Sequence, residues 1–211
     1  MLSNTFTRIA GLIMAAGLAF AVVGCSKEPS TDKITTTDMT MGSPAAKVTV
    51  VEYASVACPI CAHVNETVFP QFKAKYIDTG KVYYIYRPMM TGNEPVSVAG
   101  HLLARCAGKE KAFKVVDAIM RSQTEMGGEE SGYANALPVL QGIATQVGMS
   151  ADDYKKCVGD PKGIEEMNDA NTKAINDGVK GTPTFVINGK KMDRIPQNIS
   201  EFDDIIQPKL K

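Results

Sequence analysis

The chain has no excess charge of either sign. Its 211 residues include 23 basic and 23 acidic side chains, and neither kind forms a long run. Nucleic-acid binding leaves a basic patch or stripe, so the charge pattern offers nothing for that class of partner. Histidine is scarce, with only His63 and His101, and no second cysteine pair stands at zinc-ligand spacing. A structural zinc site therefore lacks half its ligands. No sequence repeat is apparent, and no apolar run reaches the roughly 20 residues that a membrane-spanning helix needs. What is present is ordinary: 44% apolar and 22% charged residues, enough to bury a real core without relying on disulfides merely to fold.

The first 24 residues read as an address. Arg8 is the only charge before Cys25, and Ile9 to Val23 is apolar with small Gly and Ala, a basic start followed by a signal-type apolar stretch. Val22-Val23-Gly24-Cys25 resembles a bacterial lipoprotein cleavage box. The resemblance implies cleavage before Cys25 and a lipid on its sulfur; an ordinary secretory signal or an uncleaved anchor is the alternative. Each puts the folded part outside the cytoplasm. Residues 25–44, rich in Ser, Thr, Pro, Lys and Asp, are expected to be a flexible tether. Their last 18 or so residues could reach about 60 Å when fully extended.

Residues 45–95 begin with Lys47-Val48-Thr49-Val50-Val51-Glu52-Tyr53, a buried strand by composition. Val64, Val68, Phe69, Phe72 and Tyr76 then follow at helical spacing, Asp78-Thr79-Gly80 ends that helix, and Lys81 to Tyr86 is a second strand. Strand, helix and strand in this order form a parallel βαβ unit. Residues 96–178 switch to helical segments. In residues 179–211 strand character returns at Thr184 to Ile187, Asn188-Gly189 signals a hairpin into Lys190-Lys191-Met192, and Ser200 is expected to cap a last helix. The fold class is α/β: βαβ, an inserted helical domain, then ββα.

Cys58-Pro59-Ile60-Cys61 falls where the first strand hands over to its helix. Unpaired backbone N–H groups and the helix dipole favour negative charge there, which lowers a thiol pKa and yields the attacking thiolate. Pro59 suits the first helical position. Cys61, three residues on, is close enough to bond to Cys58, so an exposed Cys58 attacks and a more buried Cys61 resolves. A purely structural bridge at this point is the plainer alternative. Cys58, Cys61, Cys106 and Cys157 allow three pairings once Cys25 is set aside, and spacing does not choose among them.

Gly181-Thr182-Pro183-Thr184-Phe185 lies about 120 residues after the cysteine pair, beyond the helical block. These two motifs in this order, with Gly42-Ser43-Pro44-Ala45-Ala46-Lys47-Val48 leading into the first strand and Val51-Glu52-Tyr53 ahead of the cysteines, resemble the DsbA-like branch of thioredoxin-fold oxidoreductases over nearly all of residues 42 to 207. The resemblance implies a cis Thr182–Pro183 bond packed against the redox cysteines, with Thr182 offering its backbone to an extended substrate. It implies introduction of disulfides into exported proteins, reoxidation by a membrane quinone-linked partner of the DsbB type, and no dissociable cofactor. One departure stands out: the strong oxidases of this family carry histidine between the cysteines, and here the position is Ile60. With no positive charge or donor from that side chain, the Cys58 pKa is expected to be less depressed and the potential less oxidising.

Glu52, six residues before Cys58 on the inward strand, is the candidate proton carrier for Cys61; a solvent-facing glutamate is its alternative. Cys106 and Cys157 are expected to form a structural disulfide, closing a loop worth roughly 4 kcal/mol, with a second redox centre as the rival reading. Met89 and Met90, if exposed, would line an adaptable apolar groove. Two other functions stay open at this point: a reductase or isomerase kept reduced by a membrane electron donor, and a non-catalytic binding or metallochaperone lipoprotein.

Overall fold

The computed structural model describes residues 34–128 and 130–211. The signal segment 1–24, the lipidation candidate Cys25 and the tether up to residue 33 lie outside the described residues.

Five strands form one sheet in the order β1-β3-β2-β4-β5. The central pair, β2 (Val48–Ala54) and β3 (Val82–Pro88), is parallel, with Glu52 beside Tyr86 and Val50 beside Tyr84. Parallel pairing requires a crossover, supplied by α1 (Pro59–Thr67), α2 (Phe69–Phe72) and one π-helical turn over Lys73–Ile77. β4 (Thr184–Ile187) pairs antiparallel with β2 and then with the short β5 (Lys190–Lys191). Asn188 and Gly189 join them with φ of 46° and 80°, the left-handed pair that a type I′ hairpin needs. Between β3 and β4 stand five helices: α3 (Glu94–Cys106), α4 (Ala112–Arg121), α5 (Ala136–Gln146), α6 (Ala151–Val158) and α7 (Pro161–Asn176). α8 (Ile199–Leu210) closes the described chain. None of the described helices is long and apolar enough to cross a membrane.

β2 and β3 are buried along nearly their whole length, as expected of strands covered on both faces. Val50, Glu52, Tyr84 and Tyr86 share the face against α1, α2 and α8, where Phe72 meets Phe202 at 4.5 Å between ring centroids and Phe69 meets Tyr84 at 5.1 Å. Val51, Tyr53 and Ile85 point the other way and pack on Met89, Ala174 and Val179.

Three expectations need correction. The tether does not run to Pro44: Met39–Met41 form β1, an antiparallel edge strand on β3. Its polar approach is consumed by one buried ion pair, in which Arg87 donates from Nε and Nη2 to the two oxygens of Asp38 at 2.9 and 2.7 Å. Asn198, not Ser200, caps α8, its Oδ1 accepting from the Ser200 N–H. Met89 is buried against the sheet and Met90 is half-buried beside Leu102 and Met167, so the pair does not form an exposed groove.

Breaking a buried pair strands the remaining charge, at a cost of about 3–5 kcal/mol. Asp38→Ala is therefore expected to lose that much stability in denaturant unfolding. A change under about 0.5 kcal/mol would mean that β1 does not hold the sheet edge.

Candidate active site

Cys58 is the N-cap of α1, with Pro59 in the first turn. Its extended backbone (φ −90°, ψ 119°) turns the sulfur back over the open end of the helix, where the Cys61 N–H donates to Sγ at 3.3 Å. The side chain is 6% exposed and that of Cys61 is fully buried; both are free thiols. Both are thus buried, Cys58 contrary to the exposure expected of it, and it is their hydrogen bonds and depth that give the two sulfurs different chemistry. The hydrogen bond from the Cys61 thiol draws the Cys58 pKa down from 9.0 to about 6 against the opposing effect of burial, with further help from the Thr182 hydroxyl and the N–H groups of Cys61 and Ile60. Burial holds Cys61 well above the ordinary thiol range, and charge on Cys58 or Glu52 raises it further.

The loop before β4 closes over the pair. Its Thr182–Pro183 peptide bond is cis, and the Cys58 thiol donates to the Thr182 carbonyl at 3.5 Å. Thr182 is itself held by Thr91, hydroxyl to hydroxyl at 2.5 Å. Ile60, between the cysteines, is 51% exposed.

Glu52 lies beneath, buried on the sheet face that α1 covers. It accepts from the Tyr84 hydroxyl at 2.5 Å. Burial raises its pKa from 4.5 to about 7, the Tyr84 hydrogen bond opposes that, and the Cys58 charge adds to it. The solvent-facing alternative for Glu52 is thus excluded. His63 sits on the exposed side of α1, away from this network.

No pattern in the sequence announces the residues that hold the redox loop. Gln123, just beyond α4, donates through Nε2 to the carbonyls of Val56 and Cys58 at 2.8 and 3.2 Å, and Tyr133 donates to that of Ala57 at 2.9 Å. Ser55 donates to the Thr91 carbonyl at 2.8 Å and its Oγ receives the Ala57 N–H. Gly92 (φ +74°) passes so close that a Cβ there would stand 2.3 Å from the Ala57 oxygen. Buried backbone groups must find partners, and here they find them in the helical insert. His101, singled out only as an absent zinc ligand, is buried and hydrogen-bonded to the Tyr86 hydroxyl at 3.0 Å; burial lowers its pKa to about 3, so it stays neutral. No cluster of three or more metal-ligating side chains occurs among the described residues.

Cys106, ending α3, is bonded to Cys157 of α6, 51 residues on. Both lie outside the contacts around Cys58.

A family model described as thioredoxin matches residues 34–208. A Rickettsia bellii protein, assigned by name to the protein-disulfide oxidoreductases, is 35% identical over 170 residues. That match covers 80% of this chain but 63% of the relative, so the chain spans under two thirds of that protein's length. A Bacillus cereus protein assigned by name as disulfide bond formation protein D is 25% identical, with 86% of this chain and 84% of that one covered. The crystal structure of α-DsbA1 from Wolbachia pipientis superposes with a TM-score of 0.73 at 27% identity, covering 84% of this chain and 92% of that one.

The Glu52 environment makes a pH prediction for the reduced protein. A carboxyl whose pKa is raised on folding costs nothing below about 4.5, and the cost grows until about pH 7, where it reaches about 3 kcal/mol. Glu52→Gln removes that cost. Its stability gain over the parent should be near zero at pH 4 and maximal above pH 7, read by denaturant unfolding across that range. A gain independent of pH would contradict the titration.

Proposed function

Since the chain belongs to the thioredoxin family, in its DsbA-like branch, we propose that it is a protein thiol–disulfide oxidoreductase that introduces disulfide bonds into exported proteins. One observation carries the reading: a low-pKa sulfur at a helix end, its partner sulfur buried one turn away, and the backbone of Thr182 alongside both.

In the oxidised protein the Cys58–Cys61 bond is the electrophile. A substrate thiolate attacks Cys58 Sγ, the S–S bond breaks, and Cys61 leaves as a thiolate. Glu52 supplies it with a proton. A second substrate thiolate then attacks the substrate sulfur joined to Cys58, the new substrate disulfide forms, and Cys58 departs as a thiolate. Two electrons pass to the enzyme, and no dissociable cofactor is needed. The stabilised Cys58 thiolate favours the reduced enzyme, which is what makes its disulfide an oxidant. Thr182 presents its carbonyl to the extended substrate segment and Pro183 shapes the loop that does so. Cys106–Cys157 is structural in this reading.

Substrates are reduced or unfolded exported proteins, met across the exposed face at Ile60. A membrane quinone-linked oxidase of the DsbB type restores the disulfide. The sequence of residues 1–25 supports an extracytoplasmic, periplasmic place with a lipid on Cys25, which would keep the enzyme near such a partner.

The test is capture in the native host. In Cys61→Ala the Cys58 thiolate can still attack disulfides of exported proteins, the reverse of the last step above, with no Cys61 thiol to release them, so mixed disulfides through Cys58 should accumulate, whereas Cys58→Ala should accumulate none. An empty Cys61→Ala lane, with the parent inactive in oxidising reduced ribonuclease, would overturn the proposal. A second measurement concerns direction: Ile60→His adds a donor beside the thiolate and should bring the Cys58 titration below about 6. The potential should rise by about 30 mV for each tenfold gain in the stability of the reduced form.

A further inference from the structure

Burying an imidazole costs free energy unless its nitrogens find partners. His101 of α3 is fully buried, and both of its nitrogens do. Nε2 meets the Tyr86 hydroxyl at 3.0 Å and Nδ1 meets the Ser97 hydroxyl at 3.4 Å. The contacts continue beyond Ser97, whose Oγ lies 2.9 Å from that of Ser55, in the loop between β2 and the redox cysteines.

Counting donors gives this chain of contacts one direction. The Ser55 hydroxyl gives its hydrogen to the Thr91 carbonyl at 2.8 Å, because a carbonyl only accepts. Its Oγ therefore accepts twice, from the Ala57 N–H at 3.2 Å and from the Ser97 hydroxyl. Ser97, having donated, accepts from His101, which assigns the imidazole hydrogen to Nδ1. The neutral ring is left with a bare Nε2, and the Tyr86 hydroxyl donates to it. Tyr86, His101, Ser97, Ser55 and Thr91 are thus linked head to tail. A leucine at position 101 would fill the same part of the core and leave both ends of that chain without a partner.

The far end of the chain is the redox loop. The Ser55 carbonyl takes the Cys58 N–H at 3.2 Å. Burial disfavours charge on the Cys61 sulfur, and the Ser55 N–H favours it. Thr91 in turn holds Thr182, hydroxyl to hydroxyl. Helix α3 comes this close because residue 100 is glycine: a Cβ there would stand 2.7 Å from Val56 Cγ2.

Resting on the reading of Cys58–Cys61 as the exchanging pair, we propose that His101 is a positioning residue for the exchange, holding Ser55 through Ser97 so that the Ser55 N–H meets the Cys61 sulfur as it leaves. When a thiolate attacks Cys58 Sγ, the new S–S bond forms there, the Cys58–Cys61 bond breaks, and Cys61 takes the electron pair. Charge develops at that moment on a buried sulfur, where an N–H already in place is most effective. His101 touches neither substrate nor sulfur in this step; it fixes the donor that does.

The experiment separates the two nitrogens. An asparagine amide can take over the Nδ1 donor and a glutamine amide the Nε2 acceptor, so His101→Asn keeps the link to Ser97 and His101→Gln the link to Tyr86. Ser97→Ala keeps the imidazole and cuts the chain one step on, so it decides the matter if a His101 variant fails to fold. Oxidised protein is mixed with reduced glutathione in enough excess to make opening of the Cys58–Cys61 bond rate-limiting. Loss of that bond is followed by acid quench, thiol alkylation and mass measurement. His101→Gln and Ser97→Ala should open about fivefold more slowly than the parent, the rate equivalent of one hydrogen bond, and His101→Asn at the parent rate. The Cys58 titration should be the same in all of them, because the effect falls on the leaving sulfur. In denaturant unfolding His101→Asn, which strands the Tyr86 hydroxyl, should lose stability while keeping its rate; a merely structural role would make the two fall together. Parent-like opening in His101→Gln or Ser97→Ala, a His101→Asn as slow as His101→Gln, or a Cys58 titration that moves with the rate would overturn the positioning role. A parent protein that glutathione does not open at all would overturn the exchange reading beneath it.

Discussion

Everything at the site depends on where a single sulfur sits relative to a helix end. Cys58 takes the place that Asn, Ser or Asp takes at α3, α6, α7 and α8, where a side-chain oxygen caps the first turn. A sulfur is a poorer acceptor than those oxygens when protonated and a far better one as an anion. The helix is thus best capped when Cys58 is ionised, and the cap adds to the acidity that the hydrogen bond from the Cys61 thiol chiefly confers. The cysteine three residues later lies on the first turn of the same helix, facing the core, so the two thiols are close neighbours at different depths.

That placement has to be kept rigid, and here the insert and the sheet share the work. The carbonyls of Val56 and Ala57 run through a buried loop, and that of Cys58 also takes the Ala62 N–H of α1; Gln123 and Tyr133 supply donors to all three from the helical side. The close pass of Gly92 and the Thr91–Thr182 contact tie the same loop to the end of β3 and to the cis-proline segment. Glu52 completes the arrangement from below. It is a carboxyl that the core would rather keep neutral, set near the thiol to which the proposed chemistry has it pass a proton.

Much of this was readable in the residues. Pro59 marked the helix start that makes Cys58 a cap, the β-branched run around Glu52 marked a buried strand, and Asn188-Gly189 fixed the hairpin. Local chemistry decides these, so local sequence reports them. β1 was missed because Met39–Met41 is an ordinary stretch among polar residues, and its partner Arg87 lies 49 residues past Asp38, a pairing that no pattern within either segment announces. Gln123 and Tyr133 were missed for the same reason, since a glutamine that finds two carbonyls 65 and 67 residues away looks like any other glutamine. The α8 cap was misplaced by two residues because Asn198 and Ser200 are both good caps, and only the backbone of the incoming chain chooses between them.

The bond between Cys106 and Cys157 ties the end of α3 to α6, inside the same insert that supplies the donors to the redox loop. A clamp is only as stiff as the frame it is mounted on. By cross-linking that frame, the disulfide limits how far α3 and α6 can move apart. Under the proposed chemistry, such a frame would let the Cys58–Cys61 couple behave like a calibrated electrode, its voltage set by acidity and burial more than by rearranging the protein around it.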